Sequence, residues 1–191
     1  MSGRGLTVAL LTVLPVLPGL GRTADKLTEL SAEIAKQPGN AALLLRRAEI
    51  HDQRGDSESA MADLDLAAAL PQGAQPANVA AAELLYRQQQ FAAALERLDT
   101  ALRIDASDPR ALRAKGRTLV ALRRMEQAAV IQRRLLAVLP SPEPDDYLEL
   151  AQSLAAGGRP GKLAGLRILD SGIGRLGPVV SLQGPAIALE L

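Results

Sequence analysis

A 34-residue period runs through the middle of this chain and constrains its fold more than any other feature. A shift of 34 carries Ala60 onto Ala94 and Ala94 onto Ala128. Ala48, Ala82 and Gly116 keep that spacing upstream, as do Ala67, Ala101 and Leu135 downstream. Three units follow without a gap, 41–74, 75–108 and 109–142. A repeat of this length is one supersecondary unit that buries its apolar face only by stacking on its neighbours. Composition says what the unit is made of. Apolar residues reach 48% but aromatics only 2%, so the core is built from Leu, Ala, Val and Ile. Ala and Leu favour helix, whereas a sheet would draw on β-branched and aromatic side chains. The expectation is an all-α array of helix pairs.

The small residues mark where the two helices of a unit cross. Ala or Gly at the eighth place and Ala at the twentieth let backbones approach to the ~8–10 Å typical of packed helices. Leu85, Leu98, Leu119, Phe91 and Met125 are expected to fill the space between units. On these positions, Ala48, Ala60, Ala67, Ala82, Ala94, Ala101, Gly116, Ala128 and Pro140 at the end of the third unit, the chain resembles the tetratricopeptide repeat. Its unit is a helix–turn–helix of about 34 residues. The resemblance implies a right-handed helix–turn–helix repeat solenoid, a TPR-like superhelix, used as a non-catalytic scaffold for protein–protein contacts. Leu44, Asn78 and Leu112 stand where the family places a large aromatic, and Gln72 and Ala106 where it places its proline.

The flanks extend the array. Within 22–40, residues 25–37 read as an amphipathic helix with Leu27, Leu30 and Ile34 on one face, a lone second helix capping the first unit. Residues 143–178 read as a divergent fourth repeat, with a first helix from Asp146 to Ala156. Its turn is expected at 157–161, about two residues longer than usual, and its second helix from Leu163 to Leu176, with Gly165 at the small crossing place. Residues 179–191 begin as another first helix, which Gly184-Pro185 should interrupt. That apolar ending implies either a further helix beyond it or a covering partner.

The N-terminus has the features of an export signal over 1–21. Arg4 gives a positive start, Leu6 to Leu17 is an almost unbroken apolar run, and Gly19-Leu20-Gly21 offers small residues for cleavage. The run is short of the roughly 20 residues that span a bilayer. The expectation is an exported, periplasmic protein; the alternatives are an uncleaved anchor facing the periplasm and a frayed cytosolic terminus. Arg exceeds Lys by 18 to 4, a bias of GC-rich bacterial genomes.

Catalytic chemistry needs convergent titratable groups, and the chain offers few. It has no cysteine, which removes disulfides, thiolate metal sites and a cysteine nucleophile. The single histidine, His51, lies where Leu85 and Leu119 stand in the next units, so it reads as a packed inter-helix residue. Glu49, Asp52 and Asp56 near it read as a solvated helix face in preference to a cation site. Gly161-Lys162 lacks the spacing and the following Ser or Thr of a phosphate loop. No enzyme, no cofactor and no metal is expected.

The net charge of +1 conceals an asymmetry. Units one and two are acidic. Unit three carries Arg110, Arg113, Lys115, Arg117, Arg123, Arg124, Arg133 and Arg134 against Glu126 alone. Arg110, Arg113 and Arg117 share one helix face by their spacing, and guanidinium groups so arranged fork onto carboxylates or phosphates. In the resembled family the first helices line a concave groove that receives an extended peptide. Carried onto this chain, the groove places are Ala42, Leu45, Glu49, Asp52 and Gln53, then Pro76, Val79, Glu83, Tyr86 and Arg87. In the third unit they are Arg110, Arg113, Arg117, Val120 and Ala121. The arginine stripe with Glu83, Tyr86 and Arg87 therefore reads either as a site for an acidic peptide segment or as a solvated face paired with Glu83 and Asp108. The family's clamp for chaperone C-termini needs Lys and Asn where Leu45 and Glu49 stand, which speaks against that role. A rival reading is anionic polymer or nucleic-acid binding through unit three, opposed by the lack of aromatic stacking platforms.

Overall fold

The computed structural model describes residues 20–178 and 182–185, with the backbone alone over 20–25. The described residues are helical with no strand. They form α1 (Leu20–Lys36), α2 (Ala41–Gln53), α3 (Ser57–Ala68), α4 (Ala74–Arg87) and α5 (Phe91–Ile104). These continue as α6 (Pro109–Ala121), α7 (Met125–Val138), α8 (Pro144–Ala155) and α9 (Gly158–Leu176). Each helix packs on the next along the chain, and α4 also touches α6. Of the proposed export segment over 1–21, residues 1–19 lie outside the described residues, as do 179–181 and 186–191 at the other end; 182–185 are helical, and Leu182 is buried.

The period is visible in the backbone itself. The chain turns from first to second helix through a left-handed residue at Gly55, Gln89 and Arg123, with φ of 78°, 60° and 60°. Around each, the following N–H reaches back to close the helix end: Asp56 donates to the His51 carbonyl, Gln90 to Leu85 and Arg124 to Leu119, all at 2.9 Å. This closure satisfies carbonyls that a helix end otherwise leaves open. Glycine takes the conformation freely; glutamine and arginine are held in it by the packing on either side.

Small side chains sit at the crossings. Ala60, Ala67, Ala94, Ala101 and Ala128 are fully buried, and Ala48 and Ala82 nearly so. Two cores result. One joins Leu44, Ala48, Leu64 and Leu84 across units one and two; the other joins Leu85, Leu98, Leu112, Leu119 and Leu135 across units two and three. Phe91 and Met125 are half-buried at the turns. Pro140 follows the end of α7, whose last carbonyls lie just before it. Gly73, at the N-cap of α4, is closed in by α3 and α2: a Cβ there would stand 2.3 Å from the Ala67 carbonyl oxygen and 2.6 Å from the Ala41 Cβ.

The fourth unit departs from the period in two steps. Pro144 opens α8 where Pro109 opens α6, 35 residues later, so one residue is inserted in the linker after α7. Gly165, Leu169 and Gly172 then repeat the buried spacing of Ala128, Gln132 and Leu135, but 37 residues later. The two further residues do not lengthen the turn, as expected from the sequence. They extend α9, which begins at Gly158 and is 19 residues long. Gly161 permits this, because a Cβ there would stand 2.1 Å from the Leu154 carbonyl oxygen.

Candidate functional site

The first helices α2, α4, α6 and α8 line one side of the array. Along it lie three cavities of about 390, 490 and 320 Å³. They adjoin one another: the first and second share Glu83, Arg87 and Arg110, and the second and third share Tyr86 and Arg117. The result is one groove. Its central cavity has a floor of Ala82, Ala114 and Pro109, small or rigid groups that leave room above them.

The structure brings all six sequence-predicted groove residues to this place, Glu83, Tyr86, Arg87, Arg110, Arg113 and Arg117. It gives the three arginines of the stripe different surroundings. Arg110 is exposed and reaches both Glu83 carboxylate oxygens at 3.3 Å, a long contact. Arg113 forms an ion pair with the Asp146 carboxylate at 2.9 Å. Arg117 lies over the Tyr86 ring, 5.2 Å from its centroid, and takes no carboxylate partner among the described residues. Tyr86 in turn packs edge-on against Phe91, the centroids 5.3 Å apart. Arg87 is held by Asp52 at 2.6 Å, bridging α4 to α2.

Among the described residues Asp108 takes no guanidinium. It caps α6 by accepting the Arg110 backbone N–H at 2.9 Å, and its other oxygen accepts from the Gln75 amide. Of the carried-over groove places, Leu45, Glu49, Asp52, Pro76 and Val120 also line the cavities. Val79 does not: at 2% exposure it belongs to the core of units two and three. Its equivalents Leu45 and Arg113 carry longer side chains that reach out; the short valine is covered. Ala42, Gln53 and Ala121 lie outside these three cavities.

Sequence reasoning missed the fourth unit's contribution. Glu149, Gln152 and Ser153 of α8 and Gln132 of α7 complete the third cavity. Asp146 is the second omission. Buried, it accepts the Glu143 N–H at 2.8 Å with one oxygen and pairs with the Arg113 charge through the other. The spacing of Glu143 and Asp146 ahead of an apolar run is a helix-start signal that could have exposed it. Glu149 is half-buried, and desolvation holds its carboxyl above the usual carboxylate range, with the positive charges of Arg113 and Arg117 pulling the other way.

The eight basic residues of unit three do not form one surface. Arg110, Arg113 and Arg117 face the groove, and Lys115 points to Asp99 of α5. Arg123 and Arg124 occupy the turn before α7. Arg133 and Arg134 lie on the exposed side of α7, Arg134 donating to the Ala106 carbonyl. His51 is half-buried and meets Asp56 at 3.2 Å. With Asp52 turned to Arg87 and Asp56 to His51, these carboxylates do not converge. Among the described residues no group of three or more His, Asp or Glu is placed to hold a metal ion, and no helix is long and apolar enough to cross a membrane.

No protein-family model matches the chain, and no curated protein matches it in sequence. Solved structures do match in shape. MamA superposes with a TM-score of 0.67 at 14% identity, covering 83% of this chain and 94% of MamA. YrrB, a TPR protein with an unusual peptide-binding site, gives a TM-score of 0.70 at 17% identity, covering 84% of this chain and 81% of that one. The first TPR of Spaghetti (RPAP3), bound to the HSP90 peptide SRMEEVD, gives 0.56 at 20% identity over 61% of this chain and 94% of its own. The all-helical array is thus a tetratricopeptide-type solenoid.

Proposed function

We propose that this chain is a non-catalytic scaffold that holds an extended peptide segment of a partner protein in the groove along α2, α4, α6 and α8. One observation carries the reading: three cavities follow one another along the first helices, each sharing lining residues with the next, and small residues line the central one. YrrB and the RPAP3 repeat, which share the fold, are peptide-binding proteins, and this supports a protein partner here.

The chemistry of the central cavity favours an acidic side chain or a terminal carboxylate. Arg87 and Arg113 are committed to Asp52 and Asp146. Arg110 is 71% exposed on its side chain and only loosely held by Glu83, and Arg117 has an aromatic face in place of a carboxylate. These two guanidinium groups flank the same cavity and remain able to fork onto an incoming carboxylate. We further propose that the protein works outside the cytoplasm, on the strength of the apolar run from Leu6 to Leu17.

The test is selection of a random seven-residue peptide library on the immobilised full chain. Selected peptides should carry Asp or Glu, and the Arg110→Ala/Arg117→Ala double variant should bind them about tenfold more weakly, the scale of losing a charge-assisted hydrogen bond. Equal binding by the variant would move the site elsewhere. A site for anionic polymers would instead capture unrelated polyanions with a steep salt dependence.

A further inference from the structure

The third cavity, where α6, α7 and α8 meet, contains a polar group that the fold does not satisfy. Gln132 is 2% exposed and its Oε1 has no hydrogen-bond partner among the described residues. Leu64 and Leu98 occupy the same place in the two preceding units, both buried in the core. The opposing crossing place changes with it. Ala48 and Ala82 give way to Gly116, where a Cβ would stand 3.1 Å from Gln132 Cγ. Unit three has therefore exchanged leucine for glutamine and given up a methyl group beside it. A buried carbonyl left without a donor destabilises a fold, so the exchange has a cost that packing alone does not explain.

The rest of the cavity supplies the complementary chemistry. Glu149 enters from α8, half-buried and raised above the ordinary carboxylate range by desolvation. It takes no ion pair within the described residues. The charged groups around it are Asp145, Asp146, Arg113 and Arg117. Arg113 is bound to Asp146, and Arg117 is drawn over Tyr86. The balance at this corner is one negative charge in excess. Val120 and Met125 add apolar wall, and Ser153 a hydroxyl.

We propose that this cavity is a subsite for a basic side chain, lysine above all, of the peptide that occupies the groove. Its ammonium donates to the Glu149 carboxylate and, once the Gln132 amide turns toward the cavity, to the Gln132 Oε1, while its methylenes lie along Val120 and Met125. A lysine carries three donors and no acceptor, which suits a corner offering acceptors. It also buries its stem on apolar surface while keeping the charged end paired. Because Arg117 lines both this cavity and the central one, the recognised segment places an acidic residue and a basic residue in adjacent cavities. The inference rests on the peptide-groove reading and sharpens it from an acidic segment to a segment of alternating charge.

The same selected peptides test it. They should carry Lys or Arg at a fixed step from the acidic residue, and replacing that residue by Leu should weaken binding to the wild-type chain about tenfold. In Gln132→Leu and in Glu149→Gln the same replacement should make little difference, the signature of a direct coupling in a double-mutant cycle. Gln132→Leu should unfold at the same or higher denaturant concentration than wild type, which separates lost recognition from lost folding; Glu149→Gln, nearer the surface, is an independent probe. Selected peptides without a basic residue, or a Lys-to-Leu effect undiminished in both variants, would overturn the subsite and leave the groove standing. Failure to select any peptide would overturn the groove reading and the subsite with it.

Discussion

Arg113 and Asp146 meet at 2.9 Å across the boundary between the third and fourth units, and the aspartate is almost wholly buried. The contact gives one arginine of a three-arginine stripe a structural task. Asp146 also caps α8 through the Glu143 N–H, so its carboxylate fixes both the start of α8 and its seat against α6.

Removing Arg113 would strand that carboxylate. Breaking a buried pair from one side costs several kcal/mol; Arg113 itself is partly exposed, and water softens the loss. The expected penalty for Arg113→Ala is about 1–3 kcal/mol in chemical denaturation. Arg110→Ala, whose partner is exposed and distant, should stay within about 0.5 kcal/mol. Equal penalties for the two would show that the stripe acts as a unit.

The left-handed turn residues give a second measurable consequence. Gln89 and Arg123 adopt φ of 60° where the first unit has Gly55. A residue with a Cβ is disfavoured in this region by roughly 1–2 kcal/mol, partly offset by the larger backbone freedom that glycine loses on folding. Gln89→Gly and Arg123→Gly should each stabilise the chain by about 0.5–1 kcal/mol. A drop in the denaturation midpoint for both would mean that their side chains contribute contacts that outweigh the strain.

Gly73 tests the opposite case. Its φ is unexceptional, but the space around it is not: the Ala67 carbonyl and the Ala41 Cβ close it off. Gly73→Ala should force the start of α4 away from α2 and α3 and cost about 1–3 kcal/mol, as overpacking does. A neutral result would show that α4 can shift at its first turn without disturbing the core.

Much of this architecture is legible in the sequence, and the reasons are local. The 34-residue spacing of Ala48, Ala82 and Gly116 and of Ala60, Ala94 and Ala128 is a direct consequence of helix crossings that admit only small groups, so a shift of the chain upon itself exposes it. The turn at Gly55 can be read from its glycine; its copies at Gln89 and Arg123 cannot, because neither residue advertises a left-handed backbone. Arg110, Arg113 and Arg117 share a face by spacing alone, but their different surroundings depend on Glu83, Asp146 and Tyr86, which come from other helices. Asp146 is legible as a helix start from its spacing to Glu143, but its pairing with Arg113 depends on how α8 seats against α6. Gln132 interrupts the column of Leu64 and Leu98 in plain view. Its meaning needed the cavity, and that in turn needed α8.

Glu149 makes stability depend on pH in a direction unusual for a carboxylate. Burial raises its value in the folded state above the ordinary one, so the folded chain holds this proton more tightly than the unfolded chain. Where the two differ, the folded state binds more protons, and stability falls as pH rises. The stabilising contribution is complete below the ordinary carboxylate range and is lost as pH climbs through the raised folded value. Glu149→Gln, neutral throughout, should lose this dependence and gain stability at neutral pH relative to wild type. Denaturation midpoints at pH 4 and pH 7 check it; a difference between variant and wild type that does not grow with pH would show that Glu149 is fully solvated.

Glu83 separates the two readings of the groove most directly. Among the described residues it is the sole carboxylate that reaches Arg110, at 3.3 Å and on an exposed surface. A bound acidic peptide must compete with it for the guanidinium. Glu83→Gln removes the competitor and keeps the shape, so peptides carrying Asp or Glu should bind the variant several-fold more tightly, an effect of about 1 kcal/mol or less, as for other exposed ion pairs. The gain should shrink in high salt, where exposed charges are screened, and vanish when the peptide's acidic residue is replaced by Asn or Gln. If the groove were a solvated face with no ligand, Glu83→Gln would only free an arginine to water. No acidic peptide would then gain affinity at any salt concentration, and the stability of the fold would be the one property left to change.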